Sequence, residues 1–560
     1  MKSNKSVISS VINNGRKAKR NLDLYSRDAI RVSEQSLLSI ISDNKDTEFG
    51  RKHGFASIKS IEDYKASVPI SNYDDYEPAI RRIMESGEEG ILSAYPLSYF
   101  ARTSGSMGVP KYIPVSTKDV ARYTRYSTEL LLAVADEYYR NTTEKGLKCG
   151  YGINLIDLSI DETERGIPTG PISATLLGNV KGISDNVFTV PWELMRHKEH
   201  QDNKYIMARF SLEKRDVTFI SSTFITAVVD FIDYIRDNWE MLCMDIYHGR
   251  IDKSIKISAE NREKLERIIK PNPKRAKEIS KEMKKGSFEI VPRLWPDIKF
   301  IAGVGTGSFM TYFKKMYMYA GKKVPFNNLV YAASEGVFAA ARRMGDSSYV
   351  LIPEGGFYEF IPVESKDDTT LTIDQVEQGM DYQVVITNLS GLYRYKIGDV
   401  IRVTGFYNEA PMVKFMNRAN RGLSLAGENI SVDDIRWCIE HFMRDTGLMV
   451  IDFSLYANTN EKPVCYDVYM EFDEKLSEKD IKDCREILES RMMQSNLVYG
   501  NKLRLGQIGP LRLIPLQSQT YQLYRDMQIM QGASPNQLKP VNILDTPMKH
   551  KFFDALRDDI

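Results

Sequence analysis

The run Thr103-Ser104-Gly105-Ser106-Met107-Gly108-Val109-Pro110-Lys111 decides how the rest of the chain is read. Small hydroxyl side chains, two glycines, a proline and a closing lysine are what a backbone needs to wrap a phosphate chain. Gly105 and Gly108 permit φ > 0 and let the main chain approach a ligand closely. Successive N–H groups can then point inward as an anion nest, with the Thr103, Ser104 and Ser106 hydroxyls as further donors. Lys111 supplies a point charge at the rim. The run is not the common P-loop, in which Gly-Lys-Ser/Thr leads straight into a helix. Here Lys111 is followed by Tyr112-Ile113-Pro114, which reads as a strand. An ordinary Gly/Ser surface turn has the same composition, so the other segments have to decide between the two readings.

Working outward, a helix is expected from Asp23 to about Ser42, then helical segments at Ile61–Tyr64 and up to Met84. On the other side of the run, Val120 to Asp136 reads as a helix and Tyr151 to Leu158 as a buried strand. The clearest helix spans Ser222 to His248, where Phe224, Val228, Phe231, Ile235, Trp239, Leu242 and Ile246 recur at steps of three and four. Its beginning, with Phe224, is also a candidate lining for a substrate cavity. The lysine-rich stretch Pro273–Gly286 alternates with Glu278 and Glu282 and contains no aromatic residue, which predicts a solvated helix face.

Two further segments carry chemistry. Asn328 to Ala333 reads as an apolar strand ending on Ser334-Glu335-Gly336, and an acid at the carboxyl end of such a strand lies where open α/β sheets bind ligands. Glu335 is a candidate for Mg²⁺, a hard cation that often takes only one or two carboxylates beside substrate phosphates. A structural acid paired with a neighbouring helix is the other reading of the same residue. In Leu389 to Asp399, alternation predicts Leu392, Arg394 and Lys396 on one face and Tyr393, Tyr395 and Ile397 on the other. Asp399, after a glycine, is placed to accept hydrogen bonds from the hydroxyls of a ribose.

Composition narrows the class. At 560 residues the chain exceeds what one core organises, so two or more domains are expected. The 76 Lys and Arg nearly cancel the 75 Asp and Glu, which leaves no global attraction to nucleic acid or to anionic membranes. Lys2, Lys5, Arg16, Lys17, Lys19 and Arg20 are followed by no long apolar run, so neither a signal peptide nor a membrane span is expected. Cys149, Cys243, Cys438, Cys465 and Cys484 are scattered and never form a CxxC pair, against a disulfide framework or a zinc site. A cytoplasmic location is the default expectation, and the oligomeric state is open.

The order of segments, a hydroxyl/glycine loop ending in lysine, a strand ending in Ser-Glu, then Tyr-Arg-x-x-x-Gly-Asp, resembles the adenylate-forming superfamily of acyl-CoA ligases, adenylation domains and luciferases. Within it the chain is similar to the Gretchen Hagen-type acyl acid amido synthetases over nearly its whole length. The segments that carry this likeness include Thr47 to Gly54, Leu294-Trp295-Pro296, Tyr331 to Glu335, Phe357 to Pro362, Gly391 to Arg394 and Gly532 to Lys539. The opening loop is closer to the general superfamily form than to the plant enzymes, and Leu425 to Ile435 resembles the segment after the hinge in acyl-CoA ligases. The resemblance implies an α/β fold, with a large N-terminal adenylate-forming domain (1–417) and a smaller mobile α+β lid (418–560). It implies ATP and Mg²⁺ as requirements, and as substrates a carboxylic acid and an amino acid, or CoA in place of the amino acid. Nucleotide binding falls to Thr103, Ser104, Gly105, Ser106, Gly108, Lys111, Tyr331, Ser334, Glu335, Asp399 and Arg418. Lys539 is the mobile catalytic lysine, and Glu335 holds the metal and shares in catalysis. Thr306, Gly307 and Phe224 face the acyl or acceptor pocket. A non-catalytic nucleotide-binding protein is the reading from another class.

Overall fold

Apolar residues at helical spacing build the long helices, while short apolar runs bounded by glycine and proline build the strands. The computed structural model describes residues 4–103, 111–143, 146–147, 150–156, 160–174, 187–191, 203–255, 258–305, 310–328, 330–365, 367–418, 423–426, 428, 430–533 and 538–558. The chain divides into two units. One comprises Met1–Gly305, Tyr312–Ile397 and Ile401–Phe415; the other comprises Thr306–Thr311, Gly398–Val400 and Met416–Ile560.

The first unit opens with α1 (Asn4–Tyr25), α2 (Ala29–Asp43), α3 (Glu48–Lys52), α4 (Ile61–Ser67) and α5 (Tyr73–Ser86). The single helix expected from Asp23 is in fact the end of α1 and all of α2, parted by a 3₁₀ turn at Ser26–Asp28. In α1 the stripe of Val7, Ile8, Ile12, Ala18 and Leu22, with Gly15, is buried, and most residues of the helix are polar. A side chain at Gly15 would put Cβ 1.9 Å from the Glu129 carbonyl oxygen, and the close approach needs glycine there. The helix expected over Val120–Asp136 is α6 (Thr117–Tyr123) and α7 (Leu130–Thr143), joined by a π-turn at Thr124–Glu129. Thr124 and Ser127 donate their hydroxyls back to the carbonyls of Val120 and Tyr123, competing with the regular ladder.

Three sheets follow. β1 (Leu97–Arg102) and β2 (Tyr112–Ser116) form an antiparallel hairpin. With β4 (Asp161–Glu162) and β5 (Pro168–Gly170) they make a sheet of order β2-β1-β5-β4. β3 (Tyr151–Asn154), β6 (Val217–Phe224), β7 (Phe300–Val304) and β8 (Phe326–Asn328) form an all-parallel sheet in chain order. The crossover from β6 to β7 begins with the long helix Ile225–His248, which ends on Gly249 at φ +64°. Ser222 to Phe224, expected to begin that helix, instead end β6.

The third sheet holds β9 (Val330–Ala333), β10 (Gly336–Ala340), β11 (Tyr349–Leu351), β12 (Phe357–Pro362), β13 (Asp381–Thr387), β14 (Tyr395–Tyr407) and β15 (Ala410–Arg418), in the order β12-β13-β14-β15-β11-β10-β9. β9 therefore does not end at the carboxyl edge of a parallel sheet. It pairs antiparallel with β10 at the sheet margin, and Ser334-Glu335 is the two-residue turn between them. The expected alternation from Leu392 to Ile397 also fails. Arg394 sits at φ +47°, β14 begins only at Tyr395, and Arg394 is buried instead of sharing an open face with Lys396. A third correction concerns the lysine-rich helix Pro273–Met283. Its Arg275 is buried and donates to the carbonyls of Leu212 and Leu294, each at 2.7 Å.

The second unit is α+β. β16 (Val450–Asn458) pairs antiparallel with β17 (Cys465–Phe472), and β18 (Arg512–Leu516) joins parallel to β17. Tyr466 to Phe472 reads from the sequence as an alternating, half-buried strand, but β17 is buried at every residue. Tyr466, Val468 and Met470 pack with residues of the helices Val432–Thr446 and Glu478–Ser495, while Tyr469 packs with Tyr521, Tyr524 and Phe553 of two later helices. Covering both faces removes the solvent side that alternation presupposes.

Candidate functional site

The β1–β2 hairpin carries the phosphate-loop candidate. The Thr103 N–H donates to the Lys111 carbonyl at 2.9 Å and closes the mouth of the loop. Lys111 Nζ lies 4.9 Å from the centre of the Tyr73 ring, and the Tyr73 hydroxyl accepts the Tyr112 N–H at 3.1 Å. Ser104, Gly105, Ser106 and Gly108 lie outside the described residues, as do Thr306 and Gly307.

From the hairpin the chain runs directly into α6. Ser116, the last residue of β2, accepts the Asp119 N–H on its hydroxyl and caps the helix. The Ser116 N–H donates to Ser390 Oγ at 2.8 Å, and the Ser390 hydroxyl in turn donates to the Asp119 carboxylate. Burial pushes the Asp119 carboxyl up, against the opposing pull of Arg122 and these hydrogen bonds.

The Ser334-Glu335 turn is gripped by the same elements. The Asn388 side chain donates to the Glu335 carbonyl at 2.7 Å. The Tyr123 hydroxyl donates to the Gly336 carbonyl at 2.9 Å, and Arg122 donates to the Val337 carbonyl at 3.1 Å. Three successive carbonyls thus receive three side-chain donors, two from α6 and one from the segment after β13. Asn388 also accepts the N–H groups of Ser390 and Leu392, each at 3.0 Å. That pattern fixes which end of its amide is oxygen. Glu335 and Ser334 are half-buried. Burial, then the negative charge of Glu335, raises the Tyr123 phenol well above its ordinary value, so Tyr123 stays a hydrogen-bond donor.

Tyr331 is buried, its ring centre 5.2 Å from that of Phe338 and 6.1 Å from that of Phe415. Phe224 is half-buried at the junction of β6 and the helix Ile225–His248. Asp399 follows Gly398 (φ +78°) within β14 and is 3% exposed. Arg418 ends β15, and its side chain lies outside the described part. In the second unit Lys539 is exposed. Further along the chain from Arg418, Glu428 accepts the N–H groups of Leu425 and Ala426 and the Tyr466 hydroxyl.

Among the described residues no three His, Cys, Asp or Glu side chains cluster as a metal cage. A magnesium ion carried by substrate phosphates needs only one or two protein carboxylates, and Glu335 matches that requirement in type and exposure. No helix among those residues is long and apolar enough to cross a membrane.

Asn388, Tyr123 and Arg122 were not singled out in the sequence. Asn388 stands three residues before Gly391 and the Arg-Tyr pair lies in the helix after β2, but nothing in either local pattern marks them. Their role comes from tertiary packing alone.

The GH3 family N-terminal domain matches residues 18–326, its central domain 349–418 and its C-terminal domain 433–547. The chain is 28% identical over 590 residues to an indole-3-acetic acid-amido synthetase, GH3.17 of Arabidopsis thaliana, covering 95% of each. It is 27% identical over 569 residues to a jasmonoyl–L-amino acid synthetase, GH3.5 of Oryza sativa subsp. japonica, covering 96% of each. Its fold superposes on the solved AtGH3.15 acyl acid amido synthetase in complex with 2,4-DB with a TM-score of 0.86 and 25% identity, over 98% of this chain and 97% of that one.

Proposed function

The chain belongs to the GH3 family, and from that premise we propose that it is an acyl acid amido synthetase: an ATP-dependent ligase that activates a carboxylic acid as its acyl-adenylate and transfers the acyl group to an amino acid. The observation that carries this reading is the end-to-end likeness to amido synthetases, which leaves neither unit unmatched.

A carboxylate resists nucleophilic attack because its negative charge repels the incoming lone pair. In the first half-reaction a carboxylate oxygen bonds to the α-phosphorus of ATP, and the bond to the bridging oxygen breaks to release pyrophosphate. In the second, the neutral amine nitrogen attacks the acyl carbon, AMP leaves with the electron pair of the C–O bond, and the nitrogen sheds a proton. The first half-reaction brings a carboxylate against a triphosphate, so the site must neutralise charge. A helix terminus gives only about 0.3–1 kcal/mol to an exposed anion, and other groups must contribute.

We assign that task to residues 103–111, to Ser334 and to Glu335, with Lys111 at the loop mouth. Magnesium, when bound, supplies Lewis-acid stabilisation of phosphate charge, and Glu335 is the carboxylate that would hold it. Asp399 is assigned to the ribose hydroxyls and Tyr331 to the wall of the nucleotide site. The family resemblance assigns Lys539, in the lid, as the mobile lysine and Arg418 to Arg421 as the hinge, with the lid taken as 418–560. Phe224, Thr306 and Gly307 are assigned to the acyl or acceptor pocket.

The experiment is incubation of purified protein with ATP, magnesium and a panel of carboxylic acids, read as pyrophosphate release, then product mass with an amino-acid mixture against CoA. An amide product supports the proposal. A thioester alone would place the chain with the acid–CoA ligases, and no pyrophosphate release with any acid would leave a non-catalytic nucleotide-binding protein.

A further inference from the structure

Two-residue hairpin turns are most stable when a central residue takes positive φ, because that twist matches the flanking strands. Neither Ser334 nor Glu335 does so. The β9–β10 ladder also shifts register between Val337 and Ala339, one step beyond the turn. The conformation of this turn is therefore set from outside, by the three side chains that grip the carbonyls of Glu335, Gly336 and Val337. Asn388 is the central one. It is 4% exposed, and it alone bonds both to the turn and to the segment that leads through Gly391 towards β14. Ser390, next but one along the chain, ties this segment to the end of β2, the strand that leaves the phosphate-loop hairpin.

We propose that Asn388 is a positioning residue for the adenylation half-reaction: its amide fixes the Glu335 peptide, and with it the direction in which the Glu335 carboxylate meets magnesium-bound ATP, while the Ser390 contact holds that turn in register with the phosphate-loop hairpin. Tyr123 and Arg122 act as its auxiliaries. The inference rests on Glu335 acting on magnesium-bound ATP, and the test separates the two statements. A misplacement of about 1 Å in a group that positions reacting charge costs on the order of 10²-fold, so a loosened turn has a kinetic signature even when the fold is intact.

The substitution N388D isolates the contact. It keeps the two bonds that Asn388 accepts from Ser390 and Leu392, replaces the donor facing the Glu335 carbonyl with a second acceptor and adds a buried negative charge, which the Y123F variant does not. In acid-dependent ATP–pyrophosphate exchange, N388D should raise the magnesium concentration for half-maximal rate, and the KM for ATP, by about 10-fold or more, and calorimetry of ATP binding with no acid present should show the magnesium requirement raised in the same proportion. KM for the acid and for the amino acid should stay within about twofold, because the variant leaves those contacts in place. The substitution Y123F, which removes one hydroxyl and keeps the ring, should show the same selective shift at smaller size and covers the case of an unfolded N388D. E335Q is run alongside. Wild-type exchange in E335Q removes the role of Glu335 itself. An impaired E335Q beside N388D and Y123F variants of wild-type magnesium and ATP dependence, or ones that lose rate equally towards all substrates, overturns the positioning role.

Discussion

Arg394 and Arg122 are both buried, and both bind main-chain carbonyls, yet their surroundings are built differently. Arg394 is saturated: it donates to both carboxylate oxygens of Glu359, at 3.0 and 2.9 Å, to Thr370 Oγ1 and to the carbonyls of Lys65 and Val68. These partners come from α4, β12 and the segments flanking them, so the network locks the framework of the first unit. Arg122 holds Asp119 and the Val337 carbonyl, and its Nε has no hydrogen-bond partner among the described residues. A buried donor left unmatched costs stability, and such groups call for an explanation beyond packing. The contrast separates a network kept for the fold from one that serves the turn bearing Glu335.

The largest effect is expected at the saturated network. Glu359→Ala strands a buried arginine and should lower unfolding free energy by about 3–5 kcal/mol, read in urea or guanidinium melts. An unchanged melt would show that solvent reaches Arg394 easily. Glu335→Ala is the counterpart. Exchange should fall by about 10²–10³-fold, as when a group that stabilises transition-state charge is removed, with a melt close to wild type. If this variant instead unfolds while Glu359→Ala stays folded but inactive, the two networks have been assigned the wrong way round.

Gly355→Ala sharpens the comparison. A Cβ there would lie 1.9 Å from an Arg122 guanidinium nitrogen and 2.6 Å from the Tyr358 hydroxyl, so Arg122 must move off the Val337 carbonyl. Overpacking of this kind costs about 1–3 kcal/mol, and the magnesium concentration for half-maximal exchange should rise with it. A stability loss without a kinetic change would make Arg122 part of the framework only.

The smallest expected effect lies far from both. Asp136 joins α7 to α1 through Arg16 at 2.6 Å and is also held by Arg140 and the Leu147 N–H. Burial would raise its carboxyl, but these partners prevail and hold it below the ordinary value. Its stabilising contribution is therefore fully present above the unfolded carboxylate pKa near 4 and is lost as pH falls through the lowered folded value. Melts of wild type and Asp136→Asn should differ at pH 6 and converge on acidification. A gap that widens towards low pH would reverse the sign.

Local pattern made some of this legible and not the rest. The helix Ile225–His248 announces itself because the apolar stripe Val228, Phe231, Ile235, Trp239, Leu242 and Ile246 has no competing period, and Ser477 with Asp480 starts the helix Glu478–Ser495 as a capping box. The order of glycine-, acid- and aspartate-bearing segments was enough to reach the family. α1 was missed because a one-sided stripe in a basic, Asn-rich segment gives a weak signal. β17 read as half-buried because alternation says nothing about what covers the second face. Arg394 defeated the strand reading through a single left-handed residue that its five hydrogen bonds hold in place. Asn388 was invisible for a different reason: its partners lie 53 residues before it as well as two and four residues after it.

One incubation bears on the central claim most directly: purified protein with ATP, magnesium, a mixture of carboxylic acids and a mixture of amino acids, followed by mass analysis of products and measurement of AMP and pyrophosphate. The expected result is an N-acyl amino acid formed in step with equal amounts of AMP and pyrophosphate. Absence of pyrophosphate with every acid, or AMP and pyrophosphate formed with no amide and a thioester appearing once CoA is added, would contradict it.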